Sequence, residues 1–215
     1  MSTLLEQMKK DLYDGKADKV KAATKKALAD GMPPQDILNN GLIAGMDIVG
    51  KDFKAGDLFI PEVLLSAKAM HAGLQVLRPL LAGSGSSTMG KIVIGTVQGD
   101  MHDIGKNLVS MMLEGAGFEI TDLGIDTAPA KFVEAVRAKN AQIVGMAAML
   151  TTTMPVMKTV IEELSKAGLR EKVQVLVGGA PVTAAFAKQI GADAYAPDAA
   201  SAVEVARQLA ARAEN

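Results

Sequence analysis

The side chains with the clearest chemical potential are concentrated in one short segment, residues 98–107. It contains Asp100, His102 and Asp103, and His102 is one of only two histidines in the chain. A neutral imidazole can ligate a metal through one ring nitrogen while the other nitrogen donates to an orienting carboxylate. Asp100 lies two residues before His102, so in an extended segment both side chains point to the same side. The spacing therefore suits a carboxylate–imidazole–metal relay.

The composition argues against a metal site that is built from protein ligands alone. The chain has no Cys and only two His, whereas such a site normally takes three or four protein ligands. A metal at His102 would have to arrive already ligated, and a macrocycle is the obvious carrier. Two other interpretations stay open on the residues alone. His102 and Asp100 are compatible with an ordinary capping or surface pair, and Asp100 with a magnesium or phosphoacceptor carboxylate of a receiver-like domain.

Strand and helix patterns alternate over residues 91–215. Buried strands are predicted at Lys91–Val97, Phe118–Gly124, Ile143–Ala147, Val173–Val177 and around Ala194 and Tyr195. Helices are predicted at Asn107–Glu114, Pro129–Lys139, Met154–Ala167, Thr183–Ile190 and Ala199–Ala213. Parallel strands need crossover helices, so the alternation predicts an α/β, five-stranded, doubly wound, flavodoxin-like sheet of order 2-1-3-4-5. Function is then expected in the loops after Val97 and Ala147, at the topological switch point.

The N-terminal half has a different pattern. Residues 1–82 contain four segments with apolar residues at helical spacing, which predict a four-helix bundle cap. The apolar stripes of the third and fourth helices are broader than such a core requires, which indicates a second surface to cover. Residues 83–90 are rich in Gly and Ser and predict a flexible linker between the two domains.

Composition also excludes several classes of protein. The 215 residues carry 23 Lys+Arg and 24 Asp+Glu, so no net basic field attracts nucleic acid. No apolar run approaches the ~20 residues of a membrane span, and the first residues lack the apolar core of a signal peptide. We therefore expect a cytoplasmic protein with neither nucleic-acid nor membrane partners.

Three motifs and the cap carry a family resemblance. Asp100–Gly105 matches the D-x-H-x-x-G signature of cobalamin-binding domains. Gly145–Thr153 and Gly178–Ala180 follow the third and fourth predicted strands, as the later motifs of that family do. Gly45–Met46 and Leu58–Ala67 resemble the helical module that precedes the domain. Over nearly its whole length the chain resembles a corrinoid protein of a methyltransferase system, of the methanol, methylamine, betaine or methoxyaromatic type, and the cobalamin module of methionine synthase.

The resemblance implies roles for particular residues. His102 is the lower axial ligand to cobalt in place of the dimethylbenzimidazole base, and Asp100 accepts a hydrogen bond from its other nitrogen. The displaced nucleotide tail enters a slot between sheet and helices, where backbone glycines give access and Thr151 offers a hydroxyl. The glycines are Gly99, Gly105, Gly178 and Gly179. The other expected cofactor-binding residues are Met101, Asp103, Ile104, Ala147, Met149 and Leu150, together with Met46 and Phe59 of the helical half.

One departure from the family pattern concerns the relay. The second motif usually reads Ser-x-Leu, with the serine continuing the relay from histidine and aspartate, but here those positions are Ala147 and Met149. We expect the slot to form, but Asp100 to lose its hydroxyl partner unless Thr151, Thr152 or a water replaces it.

The function that the resemblance implies is methyl carriage. The cob(I)amide form accepts a methyl group from a substrate-specific methyltransferase. The methylcob(III)amide form then presents it to a second methyltransferase that acts on a folate or a thiol, and a reductive activase is a further expected partner. No catalytic residue of the protein's own is expected. The alternatives are a subunit of an adenosylcobalamin isomerase, which would lack the helical cap, and a cobalamin sensor, which would add a DNA-binding domain.

Overall fold

The computed structural model describes residues 2–81 and 89–213, which form two compact units, one helical and N-terminal, the other C-terminal and built on a sheet. Of the predicted linker at 83–90, residues 83–88 lie outside the described residues. No helix in the described ranges is long and apolar enough to cross a membrane.

The N-terminal unit consists of helices, as predicted. They are α1 (Ser2–Tyr13), α2 (Ala17–Ala29), α3 (Pro34–Ile37), α4 (Ala44–Ala55) and α5 (Ile60–Leu81). The third predicted helix is not regular, because a π-helical turn at Leu38–Ile43 joins α3 to α4. Helix α1 packs closely there, since a Cβ added at Gly41 would lie 2.8 Å from the sulfur of Met8. The fully buried side chains include Met8, Leu12, Val20, Ile37, Leu42 and Leu77.

The C-terminal unit is the predicted parallel sheet, with strand order β2-β1-β3-β4-β5. The strands are β1 (Lys91–Thr96), β2 (Glu119–Asp122), β3 (Ile143–Ala147), β4 (Gln174–Gly178) and β5 (Ala194–Ala196). The helices are α6 (Ile104–Gly115), α7 (Pro129–Lys139), α8 (Pro155–Lys166), α9 (Ala184–Ile190) and α10 (Ala199–Ala213), with a 3-10 turn at Arg170–Lys172.

Two of these elements differ by two or more residues at one end from the bounds predicted by the sequence. Helix α6 begins at Ile104 rather than Asn107 because the Asn107 amide already donates to the Asp103 carbonyl, at 2.7 Å. Strand β2 ends at Asp122 rather than Gly124, which has a φ of 82°. The His102 loop therefore leads directly into a helix.

One face of the sheet carries an apolar core. Val93 of β1, Val144 of β3 and Val175 of β4 are buried there together with Phe132 of α7 and Leu164 of α8. Because side chains alternate along a strand, Thr96, Ala147 and Gly178 belong to the opposite face. The register aligns Thr96 with Ala147 and Ala147 with Gly178, so β1, β3 and β4 end level with one another.

The helix ends of the N-terminal unit provide a matched test of packing. Gly15 and Gly31 lie just after α1 and α2, with φ of 70° and 82°. Alanine at either position would have to adopt a left-handed backbone, which destabilises the protein by about 1 kcal/mol or more. A Cβ at Gly15 would also lie 2.6 Å from Leu65 Cβ, whereas one at Gly31 meets nothing within 4 Å. We expect Gly15→Ala to lower the free energy of unfolding by about 1–3 kcal/mol more than Gly31→Ala, measured by chemical denaturation. Equal losses would contradict this account of the packing.

Candidate functional site

The loops after β1, β3 and β4 meet at one edge of the sheet, because the three strands end level and run in the same direction. The strand order reverses between β1 and β3, and ligands of open α/β sheets bind at such a switch point. The first loop carries Asp100 and His102, the second runs from Ala148 to Met154, and the third begins at Gly179. We call this place the switch edge.

A buried carboxylate joins the first two loops. The Asp100 side chain is fully buried. Its Oδ1 accepts hydrogen bonds from Nδ1 of His102 at 2.7 Å and from the His102 amide at 3.1 Å. Its Oδ2 accepts from the Met149 amide at 2.7 Å, the Leu150 amide at 3.3 Å and the Thr153 hydroxyl at 2.8 Å. These five donors fix the carboxylate in position and tie the loop after β3 to the loop after β1.

These contacts also determine the charge of Asp100. Burial by itself raises the pKa of the carboxyl, but hydrogen bonds from the Met149 amide, the His102 ring, the Thr153 hydroxyl and the His102 amide outweigh it. The pKa of Asp100 is therefore held well below its usual value, and the group is ionised at neutral pH. An ionised carboxylate only accepts hydrogen bonds, so Nδ1 of His102 carries the proton and Nε2 is the nitrogen that can ligate a metal.

His102 is exposed although its partner is buried. Its side chain is 53% exposed, yet its backbone is anchored at both ends. The amide donates to Asp100, and the carbonyl accepts the hydroxyl of the buried Thr96 at 2.8 Å. The imidazole is thus held in a fixed position with one face of the site open to a ligand.

Large apolar side chains in the same two loops are also exposed. Met101 and Ile104, which flank the His102 loop, are 65% and 74% exposed, and Met149 and Leu150 are each 42% exposed. Side chains of this size are normally buried, and a group of them at a functional edge indicates a surface that a ligand covers. One imidazole nitrogen within an apolar surface fits a metal whose remaining ligands come from a flat organic ring.

The glycines of the site occupy different local environments. A Cβ at Gly179, where φ is 124°, would lie 1.9 Å from the Ala148 carbonyl oxygen, and one at Gly178 would lie 3.0 Å from the Ala196 oxygen. Both therefore allow close packing within the chain. A Cβ at Gly105 meets nothing within 4 Å, which leaves open space at the first turn of α6. Gly99 has a φ of 83° and belongs to the turn that precedes Asp100.

The hydroxyl partner of Asp100 corrects one expectation from the sequence. Thr151 and Thr152, the two residues named as substitutes for the missing serine, are both exposed. The donor is Thr153, which is only 6% exposed. Three consecutive threonines offer the same chemistry in the sequence, and only the turn that brings the Thr153 amide to the Leu150 carbonyl, at 3.1 Å, selects the third.

The loop after β2 braces the site, which the sequence did not indicate. Asp126 has a left-handed backbone with φ of 48°, accepts the Gly99 amide at 2.7 Å and donates its own amide to the Asp100 carbonyl at 3.0 Å. Lys106 of α6 is buried and forms an ion pair with Asp122 at the end of β2. A buried lysine in the first turn of a helix is unfavourable without such a partner.

Three further residues that the sequence analysis assigns to the cofactor are Asp103, Met46 and Phe59. Among the described hydrogen bonds, none joins them to His102. Asp103 accepts the side-chain amide of Asn107 at 3.1 Å at the start of α6. In the N-terminal unit, Met46 of α4 is buried, and Phe59, just before α5, is 68% exposed. Their assignment to the cofactor stays a prediction.

The histidine–aspartate pair can be tested without any ligand. We expect long-range nitrogen NMR of histidine-labelled protein to show His102 protonated at Nδ1. In Asp100→Asn the proportion of that tautomer falls, because the charged acceptor is lost. Asp103→Asn removes a carboxylate from the same loop without touching the ring and should leave the His102 signals unchanged. A His102 tautomer unaffected by Asp100→Asn would contradict the assigned pair.

Known protein families match both units of the chain. Two families, each described as a B12 binding domain, match residues 90–206 and residues 4–78. Dimethylamine corrinoid protein 1 of Methanosarcina acetivorans is 48% identical over 209 residues, which cover 97% of this chain and 98% of the relative.

Solved structures match over most of the chain as well. A chain of the methanol:cobalamin methyltransferase complex MtaBC from Methanosarcina barkeri is 31% identical with a TM-score of 0.88, covering 97% of this chain and 80% of that one. A cobalamin-binding protein from Desulfitobacterium hafniense is 31% identical with a TM-score of 0.78, covering 95% and 98%. The helical and the sheet halves thus both match, and the chain belongs to the family of B12-binding corrinoid proteins.

Proposed function

We propose that this protein is a methyl carrier that binds its corrinoid through Nε2 of His102. Bound cobalt supplies the nucleophile that takes up a methyl group and later releases it, and the chemistry belongs to the cofactor rather than to the protein. The observation that carries the proposal is the exposed imidazole of His102, oriented by the buried carboxylate of Asp100 at the switch edge.

The residues present suit this cofactor. Asp100 holds the proton on Nδ1, which leaves the lone pair of Nε2 free to bind cobalt. Met101, Ile104 and Met149 offer exposed apolar surface on which a corrin ring can pack. The open space at Gly105 leaves room for a bulky ligand beside α6. The protein's own contribution is to ligate, orient and shield.

The proposal includes partners and a domain division. A substrate-specific methyltransferase loads the carrier, a second methyltransferase unloads it onto a thiol or folate, and a reductive activase rescues oxidised cofactor. The helical domain extends over residues 1–82 and the sheet domain over 91–215. The family matches at 4–78 and 90–206 support that division.

The methyl donor that we propose is a methylated amine, specifically dimethylamine. The support is the similarity to dimethylamine corrinoid protein 1 of Methanosarcina acetivorans, which is 48% identical to this chain over nearly its full length. The chain from the methanol:cobalamin methyltransferase complex shares 31%. A methyltransferase recognises its carrier by surface residues, so the greater identity favours the amine over the alcohol.

Axial ligation is tested by electron paramagnetic resonance of protein reconstituted with cobalamin and poised as cob(II). With nitrogen-15 histidine, we expect superhyperfine splitting that follows the protein label and ignores labelling of the benzimidazole. His102→Ala removes that splitting, and His71→Gln, which changes the other histidine of the chain, does not. A splitting that follows the benzimidazole in the unmodified protein would refute the proposed ligation.

The donor is tested by mixing the reconstituted, reduced protein with one methyltransferase at a time. We expect cofactor methylation with a dimethylamine methyltransferase and dimethylamine to be at least about tenfold faster than with a methanol methyltransferase and methanol, a discrimination of about 1.4 kcal/mol. His102→Ala, reconstituted in the same way, is the control for methylation that does not depend on the proposed histidine ligand. Faster loading from methanol would overturn the choice of donor. Failure to load from any methyl donor, with adenosylcobalamin bound, would favour the isomerase subunit instead.

A further inference from the structure

We infer that Thr153 is a positioning residue for the axial imidazole: its hydroxyl ends the relay His102–Asp100 and sets how strongly the carboxylate attracts the Nδ1 proton. This inference rests on the proposed function, because it concerns the strength of the bond that Nε2 makes to cobalt. It extends the relay by a residue that lies outside the position where the family motif has its serine.

The two oxygens of Asp100 have different partners. Oδ1 faces His102, whereas Oδ2 accepts the Met149 and Leu150 amides and the Thr153 hydroxyl. Each donor on Oδ2 draws electron density from the carboxylate and so weakens Oδ1 as an acceptor for the imidazole. Thr153 thus acts on the imidazole through Asp100 without touching it.

Thr153 differs from the other donors on Oδ2 because it can be changed without moving the backbone. The two amides belong to the turn after β3, and their positions follow from the fold. The Thr153 hydroxyl is the side-chain donor to Oδ2 among the described residues. Valine has nearly the same shape as threonine and lacks the hydroxyl, so Thr153→Val removes one hydrogen bond from a buried site and little volume.

The hydroxyl has two acceptors for a single proton. It lies 2.8 Å from Oδ2 of Asp100 and 2.9 Å from the carbonyl oxygen of Leu150. It donates to one of them at a time, and the ionised carboxylate is the stronger acceptor. The Leu150 carbonyl gives the hydroxyl a second orientation, in which Asp100 loses one donor and attracts the imidazole proton more strongly. The pull on His102 therefore depends on a group that can rotate.

The position of Thr153 also accounts for the alanine in the family motif. Ala147 ends β3 and has no side-chain group that can donate to Asp100. Thr153 lies further along the same loop and is brought back to the carboxylate by the turn at Leu150. The hydroxyl is thus supplied from a different position of the chain, next to the apolar surface of Met149 and Leu150.

The substitution has a predicted direction. In Thr153→Val the Met149 and Leu150 amides still hold Oδ2, so the carboxylate stays in place with one donor fewer. Oδ1 becomes a better acceptor, Nδ1–H is more strongly polarised, and Nε2 becomes a better donor to cobalt. Thr153→Ser keeps the hydroxyl and should behave as the unmodified protein. Thr152→Val makes the same chemical change at the adjacent exposed residue and is the matched control.

The first measurement uses the protein without cofactor. Nitrogen-15 NMR of labelled histidine gives signals from only two rings, and His71→Gln assigns them. We expect the Nδ1 signal of His102 to move downfield in Thr153→Val and in Thr153→Ala, and to stay in place in Thr153→Ser and Thr152→Val. Thermal unfolding checks that each variant is folded. If Thr153→Val does not fold, Thr153→Ala is used in its place. A His102 signal that ignores every Thr153 substitution overturns the inference.

The second measurement uses the reconstituted protein. If His102 binds cobalt, stronger donation from Nε2 would stabilise cob(II) more than cob(I) and would make the midpoint potential of the cob(II)/cob(I) couple more negative. We expect this shift in Thr153→Val, equivalent to about a threefold or greater change in the reduction equilibrium, and none in Thr153→Ser or Thr152→Val. A Thr153→Val potential equal to that of Thr152→Val overturns the inference. If the unmodified protein shows no histidine ligation, the proposed function fails, while the cofactor-free measurement still decides the role of Thr153.

Discussion

The hydrogen bonds to the Asp100 carboxylate are the constraint on which the switch edge depends. A buried charge is expensive unless nearly all of its lone pairs are satisfied, and Asp100 satisfies them with donors from both sides of the switch point. Two of the donors are backbone amides of the loop after β3. The same contacts that compensate the buried charge therefore also fix the distance between that loop and His102. Movement of either loop would leave a charge without its partners.

This arrangement separates rigidity from exposure. The carboxylate is buried and its geometry is fixed, while the imidazole that it orients is half exposed and open to a ligand. Thr96 secures the His102 backbone from the sheet, and Asp126 secures the preceding turn from the loop after β2. A protein that lends one nitrogen to a large cofactor needs this combination, because the ligand has to reach the nitrogen and the nitrogen has to be in the right place beforehand.

The apolar surface beside His102 has a physical cost in the free protein. Met101 and Ile104 expose most of their side chains to water, and burial of such side chains is worth roughly 1.5–3 kcal/mol each. That free energy does not contribute to folding, and in the proposed complex it would contribute to binding of the corrinoid. His102 would hold such a cofactor through one nitrogen, and the apolar surface would add affinity without a cage of protein ligands. A chain without cysteine and with two histidines can hold a metal cofactor in this way.

The sequence by itself determined the topology, the loop that carries Asp100 and His102, and the family. Alternating strand and helix patterns allow few arrangements of parallel strands once crossovers must be right-handed, and the spacing of Asp100 and His102 is local enough to be read along the chain. The tertiary structure decided which groups reach Asp100 from far along the chain. Whether Thr151, Thr152 or Thr153 completes the relay depends on the register of β1 with β3 and on the turn at Leu150. The hydrogen bond from Gly99 to Asp126 and the ion pair of Lys106 with Asp122 depend likewise on the packing of β2 and α6. Such contacts join residues that are 16 to 53 positions apart, and local patterns carry no information about distances of that kind because they arise only when the sheet and its helices pack.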